Sequence, residues 1–117
     1  MKLIVRDLVT SALTELADES RQRRLWLASE GPEVSSFAEC VSRLWDDSGL
    51  AAALDSGAPA FGADIDDELR ELRELLREIN PNSPPAVILE DRRLSAARFA
   101  ARTLLDELRR LEKDAQS

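Results

Sequence analysis

Residues 36–68 read SFAECVSRLWDDSGLAAALDSGAPAFGADIDDE, and this segment sets the order of the elements around it. Apolar side chains recur every three or four positions across residues 37–45, which predicts an amphipathic helix. Gly49 is well placed to end that helix in a left-handed conformation. Residues 55–63 contain two glycines and a proline, so they predict a loop. Asp64 then reads as the N-cap of the next helix.

The same segment carries the charge of the protein. Its eight acids stand against a single base, Arg43, so its charge of −7 equals the net charge of the whole chain. The acids are Glu39, Asp46, Asp47, Asp55, Asp64, Asp66, Asp67 and Glu68. Acids in the first turn of a helix interact favourably with its dipole, and this is a sufficient local reason for the acids at residues 64–68. Asp46 and Asp47 lie at the C-terminal end of a predicted helix, where the dipole disfavours them. They either cap the segment that follows or have a role outside the fold.

Outside this segment the apolar residues again follow a helical period. The main helices are predicted at residues 3–19, 34–47, 64–79 and 91–113, with short helical segments at 50–54 and 86–89. Two alternatives stay open for the first helix: it is interrupted at residues 18–20, or it continues past them. For residues 86–89 we prefer a helical turn to a strand, because a lone strand would have no partner to pair with. Asp91 is placed to cap the last helix. At 117 residues the chain has the size of one domain. We therefore predict an all-α, single-domain bundle of four main helices and two short ones, spanning residues 1–117.

The residue chemistry offers no catalytic or cofactor site. The chain has no histidine, and no glycine-rich loop follows a predicted strand. Cys40 is the single cysteine and lies on an apolar helical face, so we interpret it as a small core residue rather than a reactive thiol. Residues 64–67 begin like a calcium-binding loop but lack its later glycine and glutamate. We predict that the protein is not an enzyme and uses no metal or cofactor.

The charge also limits the partners that we expect. A net charge of −7 argues against binding to nucleic-acid phosphates and to anionic membranes, and it favours a basic partner. No apolar run approaches the roughly 20 residues that span a bilayer, and no secretory signal is evident, so we expect a cytoplasmic protein. Arg21, Arg23 and Arg24 are interpreted as a solvated helical turn whose stems cover apolar surface.

Trp26 and Trp45 are the largest apolar side chains, and their helical spacing favours the core. The alternative is that one or both lie at a partly solvated edge. A buried indole N–H requires an acceptor, and Asp46 or Asp47 is the candidate nearest in sequence. Replacing Trp45 with phenylalanine is then expected to lower the stability of the protein.

Several short motifs resemble those of a group of small bacterial proteins. They are Ala17-Asp18, Gln22-Arg23-Arg24-Leu25-Trp26, Ser36-Phe37 and Leu44-Trp45-Asp46-Asp47, followed by two further helices. Over residues 10–112 the chain resembles the helical immunity proteins of contact-dependent growth inhibition and related polymorphic toxin systems.

The resemblance implies a toxin inhibitor that binds a cognate toxin domain inside the producing cell and blocks it without turnover. Many such toxins are nucleases with basic clefts, so an acidic surface would stand in for phosphates. The implied partner-binding residues are Asp46, Asp47, Asp55, Asp64, Asp66, Asp67 and Glu68. The alternative is a small cytosolic scaffold or regulator that forms a homodimer. Its contact would include Phe99, which lies off the apolar stripe of the last helix and is expected to be exposed.

Overall fold

The computed structural model describes residues 4–27 and 35–116, and these residues contain helices and no strand. In chain order the helices are α1 (Arg6–Ala17), α2 (Glu19–Gln22), α3 (Phe37–Ser42), α4 (Leu50–Asp55), α5 (Ala63–Arg77), α6 (Pro85–Leu89) and α7 (Arg92–Gln116). A π-helical turn extends α2 over Arg23–Leu27, and a second extends α3 over Arg43–Asp47. The predicted all-α bundle is confirmed, including a helical turn rather than a strand at residues 86–89. The predicted start of the second main helix at residue 34 lies outside the described residues.

The core is built around α7, which packs most extensively on α1 and then on α5. Along α7, Leu94, Ala97, Ala101 and Leu104 recur at helical spacing and are at most 1% exposed. Every helix or its π-helical extension adds buried side chains to the same core. Burial of each leucine stabilises the fold by about 2 kcal/mol. The helices therefore pack with the apolar faces that the sequence pattern predicts against one common core.

Three predicted helix boundaries have different outcomes in the structure. The predicted first helix at residues 3–19 divides at Asp18, which has extended backbone and whose carboxylate accepts a hydrogen bond from the Arg21 N–H at 3.0 Å. The chain restarts there because aspartate is a better N-cap than helix interior residue. The cap predicted at Asp91 is confirmed, since its carboxylate accepts from the Arg93 N–H at 2.8 Å. The cap predicted at Asp64 is wrong, because α5 begins one residue earlier, after Gly62.

Both tryptophans lie on the π-helical turns. Trp26 and Trp45 are each 5% exposed, which confirms that they are core residues. Trp26 packs edge-on against Phe37 of α3, with the ring centres 5.9 Å apart. π-Helical turns are rare and widen the helix locally, so a bulky indole can enter the core between neighbouring elements.

Candidate functional site

The turn that ends α3 presents two acids on a well-packed support. Leu44 and Trp45 are buried, whereas the next two residues, Asp46 and Asp47, are exposed. Gly49 ends the turn with a φ of 82°, the left-handed conformation predicted for it. We call Asp46 and Asp47 the acidic corner. Within the described part of the chain, neither carboxylate has an ion-pair partner.

The acidic corner has no capping role in the helix that follows. The N–H of Leu50 donates to Ser48 Oγ at 3.1 Å, and that hydroxyl in turn donates to the carbonyl oxygen of Leu44 at 2.5 Å. Ser48 therefore links the end of the turn to the start of α4, and it is fully buried. The first of the two alternatives for Asp46 and Asp47, that they cap the next segment, is wrong.

Surface ion pairs along α5 account for two of the other candidate acids. The pairs are Asp67–Arg70 at 3.2 Å, Asp55–Arg73 at 2.9 Å and Glu74–Arg77 at 2.8 Å. The hydrogen bond and charge of Arg73 lower the pKa of Asp55 below its usual value. Exposed pairs of this kind contribute little stability, but they neutralise charge along the middle of α5. Asp55 and Asp67 thus have local cations.

Asp66 holds a loop. Its carboxylate accepts hydrogen bonds from the N–H groups of Ala60 and Phe61, at 2.8 and 2.9 Å, and its side chain is only 2% exposed. Loop N–H groups just before a helix need acceptors, and Asp66 supplies two from the first turns of α5. Asp66 is therefore not part of the exposed acidic surface.

Glu68 faces another acid. It is half-buried on α5 and is opposed by Glu107 on α7. A hydrogen bond shared with Glu107, then burial and the charge of Glu107, raise the pKa of Glu68 to about 7, so the group is only partly ionised at neutral pH. Asp64, one turn earlier, is exposed at the N-terminal end of α5.

The exposed acids do not form one continuous surface. Asp46 lies across an open groove from Leu76 and Ile79, near the C-terminal end of α5. Asp64 is twelve positions before Leu76, which corresponds to about 18 Å along the helix axis. The acidic corner and Asp64 therefore lie toward opposite ends of α5, and the paired acids lie between them.

An open groove adjoins the acidic corner and separates it from α5. We call it the α3–α5 groove; its volume is about 340 Å³. Its apolar lining consists of Phe37, Ala38, Val41, Leu76, Ile79 and Pro81. Its polar lining consists of Ser42, Asp46 and Arg77. A smaller cavity of about 50 Å³ shares Phe37, Ala38 and Pro81 with it and is also lined by Trp26 and Ile88.

A buried carboxylate is the feature that the sequence interpretation missed. Glu15 of α1 is 2% exposed and accepts hydrogen bonds from Trp26 Nε1 at 2.9 Å, Ser35 Oγ at 2.6 Å and Arg43 Nη1 at 3.3 Å. Burial raises the pKa of Glu15, but these three hydrogen bonds together outweigh it and hold the pKa below its usual value. Glu15 thus connects α1 to both π-helical turns. Its position at the edge of the α1 apolar stripe, beside Ala12, was the available signal.

The predicted indole partners are therefore wrong. Trp26 donates to Glu15 rather than to an aspartate of the acidic corner. Trp45 Nε1 is buried and has no acceptor among residues 4–27 and 35–116. Side chains adjacent in sequence on a helix point to different faces, so Asp46 and Asp47 face solvent where Trp45 faces the core.

The Gln22-to-Trp26 motif is explained by packing. Gln22 is fully buried, and its Nε2 donates to the carbonyl oxygens of Glu15 and Leu16 at 3.1 and 2.6 Å. Its Oε1 accepts from Arg98 Nε of α7 at 2.8 Å. This amide satisfies carbonyl groups freed where α1 ends, so the motif fastens α1, α2 and α7 together.

Other candidate chemistry is limited in the described residues. Cys40 is 1% exposed, as predicted for a core residue, and burial raises the pKa of its thiol. Among residues 4–27 and 35–116 no three acidic or cysteine side chains are grouped so that they could hold a metal ion. None of the helices described is both long enough and apolar enough to cross a membrane.

Comparison with known families gives one match. The family model described as "Domain of unknown function (DUF7945)" matches residues 3–116, so the chain belongs to this family. Neither the curated proteins nor the solved structures contain a significant match to the chain.

Proposed function

We propose that this member of the DUF7945 family is an immunity protein, which binds a cognate bacterial toxin domain in the cytoplasm of the producing cell and blocks it without catalysis. A nuclease toxin fits the proposal best, because the substrate cleft of a nuclease is basic. The protein would act as a stoichiometric inhibitor, and it would need no cofactor.

The acidic corner is the observation that carries the proposal. Asp46 and Asp47 are exposed and have no cation within ion-pair distance in the described part of the chain, while the adjacent Leu44 and Trp45 are buried. Exposed carboxylates on a rigid support lose little conformational entropy on binding. They also accelerate association with a basic partner. Neither capping nor internal pairing explains these two acids, unlike Asp66 and the acids paired along α5.

The test is co-expression in a bacterial host with the toxin domain encoded immediately upstream of the gene for this protein. The proposal expects restored growth and co-purification of the two proteins. We expect Asp46→Lys to weaken the complex at least about tenfold at low salt, equivalent to about 1.4 kcal/mol. Glu112→Lys makes the same change of charge at an exposed position of α7 that is not among the candidate acids, and it serves as the control. The proposal is refuted if no toxin gene lies upstream, or if the pair neither restores growth nor co-purifies.

The second candidate is a homodimeric scaffold or regulator, and one observation favours it. Phe99 on α7 is 71% exposed, as expected from its position off the main stripe. Large exposed aromatic side chains often mark contact surfaces. Light scattering over a wide range of protein concentration tests this candidate. A dimer that Phe99→Ser dissociates would support it, and a monomer at every concentration would exclude it.

A further inference from the structure

The α3–α5 groove has a firm apolar floor and an accessible wall. Phe37, Leu76 and Ile79 are at most 4% exposed and belong to the core, so their positions are fixed by packing. Val41 packs against the same core but is only partly buried, and Ala38 is exposed. A side chain entering the groove would therefore bury apolar surface without rearranging the fold.

The charge at the groove is negative and uncompensated on one side. Asp46 contributes a carboxylate to the lining, and Asp47 follows it in the same turn. Arg77 is the cation on the opposite side, and it already forms an ion pair with Glu74 at 2.8 Å. The nearby positive charge is thus neutralised, whereas the acidic corner is not.

We propose that the α3–α5 groove binds a segment of a basic protein partner, in which an apolar side chain enters the groove and an adjacent lysine or arginine pairs with Asp46. This inference rests on the proposed function, in which the toxin domain supplies the segment. Apolar burial would provide the affinity, and the carboxylate would select partners in which a base adjoins the apolar side chain.

A second copy of the chain is the competing occupant. Phe99 is exposed and shares a face of α7 with Arg92 and Arg102, so it offers an apolar side chain beside bases. Such a contact would join two different surfaces and would lead to rings or open chains of molecules. The overall charge of −7 on each copy opposes it, which favours a basic partner instead.

The first experiment needs no knowledge of the toxin. The peptide Ser-Arg-Leu-Leu-Arg-Ser, acetylated and amidated, is titrated into the ¹⁵N-labelled protein and followed by amide chemical shifts. We expect saturable shifts at the amides of Ala38, Asp46 and Ile79. Two peptides, one with glutamate in place of arginine and one with alanine in place of leucine, are expected to produce no saturable shift there. Absence of saturable shifts, or equal shifts with the glutamate peptide, overturns the proposal.

Matched variants separate the groove from the rest of the surface. Ala38→Glu adds bulk and negative charge inside the groove, at an exposed helical position that tolerates substitution. Ala52→Glu makes the same change at an exposed position of α4 outside the groove. We expect Ala38→Glu to abolish the peptide shifts and to weaken toxin binding at least about tenfold, with Ala52→Glu unchanged in both. Circular dichroism confirms that each variant is folded.

The outcomes distinguish this inference from the proposed function. If the wild type restores growth and Ala38→Glu does so with the same affinity for the toxin, the groove proposal fails and the immunity proposal stands. If the toxin never binds but the basic peptide fills the groove, the immunity proposal fails and the groove remains a site for a basic partner. If the wild type self-associates and Ala38→Glu makes it monomeric, the occupant is a second copy and the groove proposal is overturned.

Discussion

Replacing Glu15 with glutamine is expected to destabilise the protein strongly, although the two side chains have nearly the same shape. The Glu15 carboxylate accepts from three donors, on Trp26, Ser35 and Arg43. In Glu15→Gln one oxygen becomes an NH₂ group, so either the indole on Oε2 or the guanidinium on Oε1 loses its acceptor. The substitution also leaves Arg43 without its counter-charge.

The size of the effect follows from the contacts of this carboxylate. A hydrogen bond to a charged group contributes about 1.5–3 kcal/mol, and breaking a buried ion pair costs about 3–5 kcal/mol. The Arg43 side chain remains 23% exposed, so water recovers part of the loss. We therefore expect the free energy of unfolding of Glu15→Gln to fall by about 3 kcal/mol. For a chain of this length that corresponds to a decrease in Tm of about 12 °C.

Urea unfolding at neutral pH, followed by circular dichroism, measures this loss. The slope of the free energy against urea should stay unchanged, because the folded state keeps its compactness. Glu39→Gln is the matched control, since Glu39 is exposed on α3, and we expect it to change stability by less than about 0.5 kcal/mol.

The pH dependence gives a second readout. The folded pKa of Glu15 lies below its usual value of 4.5, so its ionised form stabilises the fold fully above that pH, and this stabilisation is lost as the pH falls through the folded pKa. The difference in the free energy of unfolding between wild type and Glu15→Gln should stay constant near neutral pH and become smaller below about pH 4.5. A loss below about 1 kcal/mol at neutral pH, or a difference that acid does not reduce, would refute the reasoning.

Four further substitutions test three other features. Trp26→Phe should cost about 2 kcal/mol more than Trp45→Phe in urea unfolding, because only Trp26 loses a hydrogen bond to a carboxylate. Asp66→Asn should cost about 1–2 kcal/mol and speed amide hydrogen exchange in the preceding loop, because one of its two acceptor oxygens becomes a donor. The pKa of Glu68 is raised in the folded state, so the folded protein holds this proton more tightly than the unfolded chain does. The stabilisation that results is fully present below pH 4.5 and is lost as the pH rises through about 7. Glu107→Gln should therefore stabilise the protein by about 1 kcal/mol near pH 8, allowing for solvent screening, and by much less near pH 5.

Each of these has a result that contradicts it. Equal losses for the two tryptophan variants would mean that the indole hydrogen bond contributes nothing net. Asp64→Asn is the control for Asp66→Asn, and loop exchange that responds equally to both would remove Asp66 as the loop anchor. A Glu107→Gln variant whose stability relative to wild type is the same at the two pH values would show that the two carboxyl groups do not interact.

The helices followed from the sequence, because each has a periodic apolar stripe or a clear cap. Asp91 caps a helix as predicted, with its carboxylate accepting from the Arg93 N–H, and the hydroxyl of Ser36 accepts from the Glu39 N–H at the start of α3. Periodicity did not decide the division at Asp18, because residues 18–24 are all polar. Helix ends depend on local chemistry, so they can be predicted from a few neighbouring residues.

The candidate site was only partly predictable. The seven candidate acids lie in one acidic segment of the sequence, yet folding separated them by contacts between elements distant in the chain. Arg73 of α5 pairs with Asp55 of α4, which lies 18 positions earlier in the chain. Glu107 of α7 faces Glu68 of α5. The α3–α5 groove likewise depends on how the end of α5 packs beside α3. Such relations arise from tertiary packing, which periodicity does not encode.

The hydrogen bond between Gln22 and Arg98 bears on the order in which the molecule acquires its native state. It joins residues 76 positions apart, and the contact between α1 and α7 spans nearly the whole chain. While the protein is being synthesised, α1 and α2 leave the ribosome long before α7 exists. Until α7 is present, the side-chain oxygen of Gln22 (Oε1) must remain hydrated, and the apolar face of α1 is not covered by α7. Such long loop closures slow folding, so the early helices wait for the C-terminal one, and native structure should form only after translation of α7. Fragments that end before α7 should remain sensitive to proteases, however helical they are.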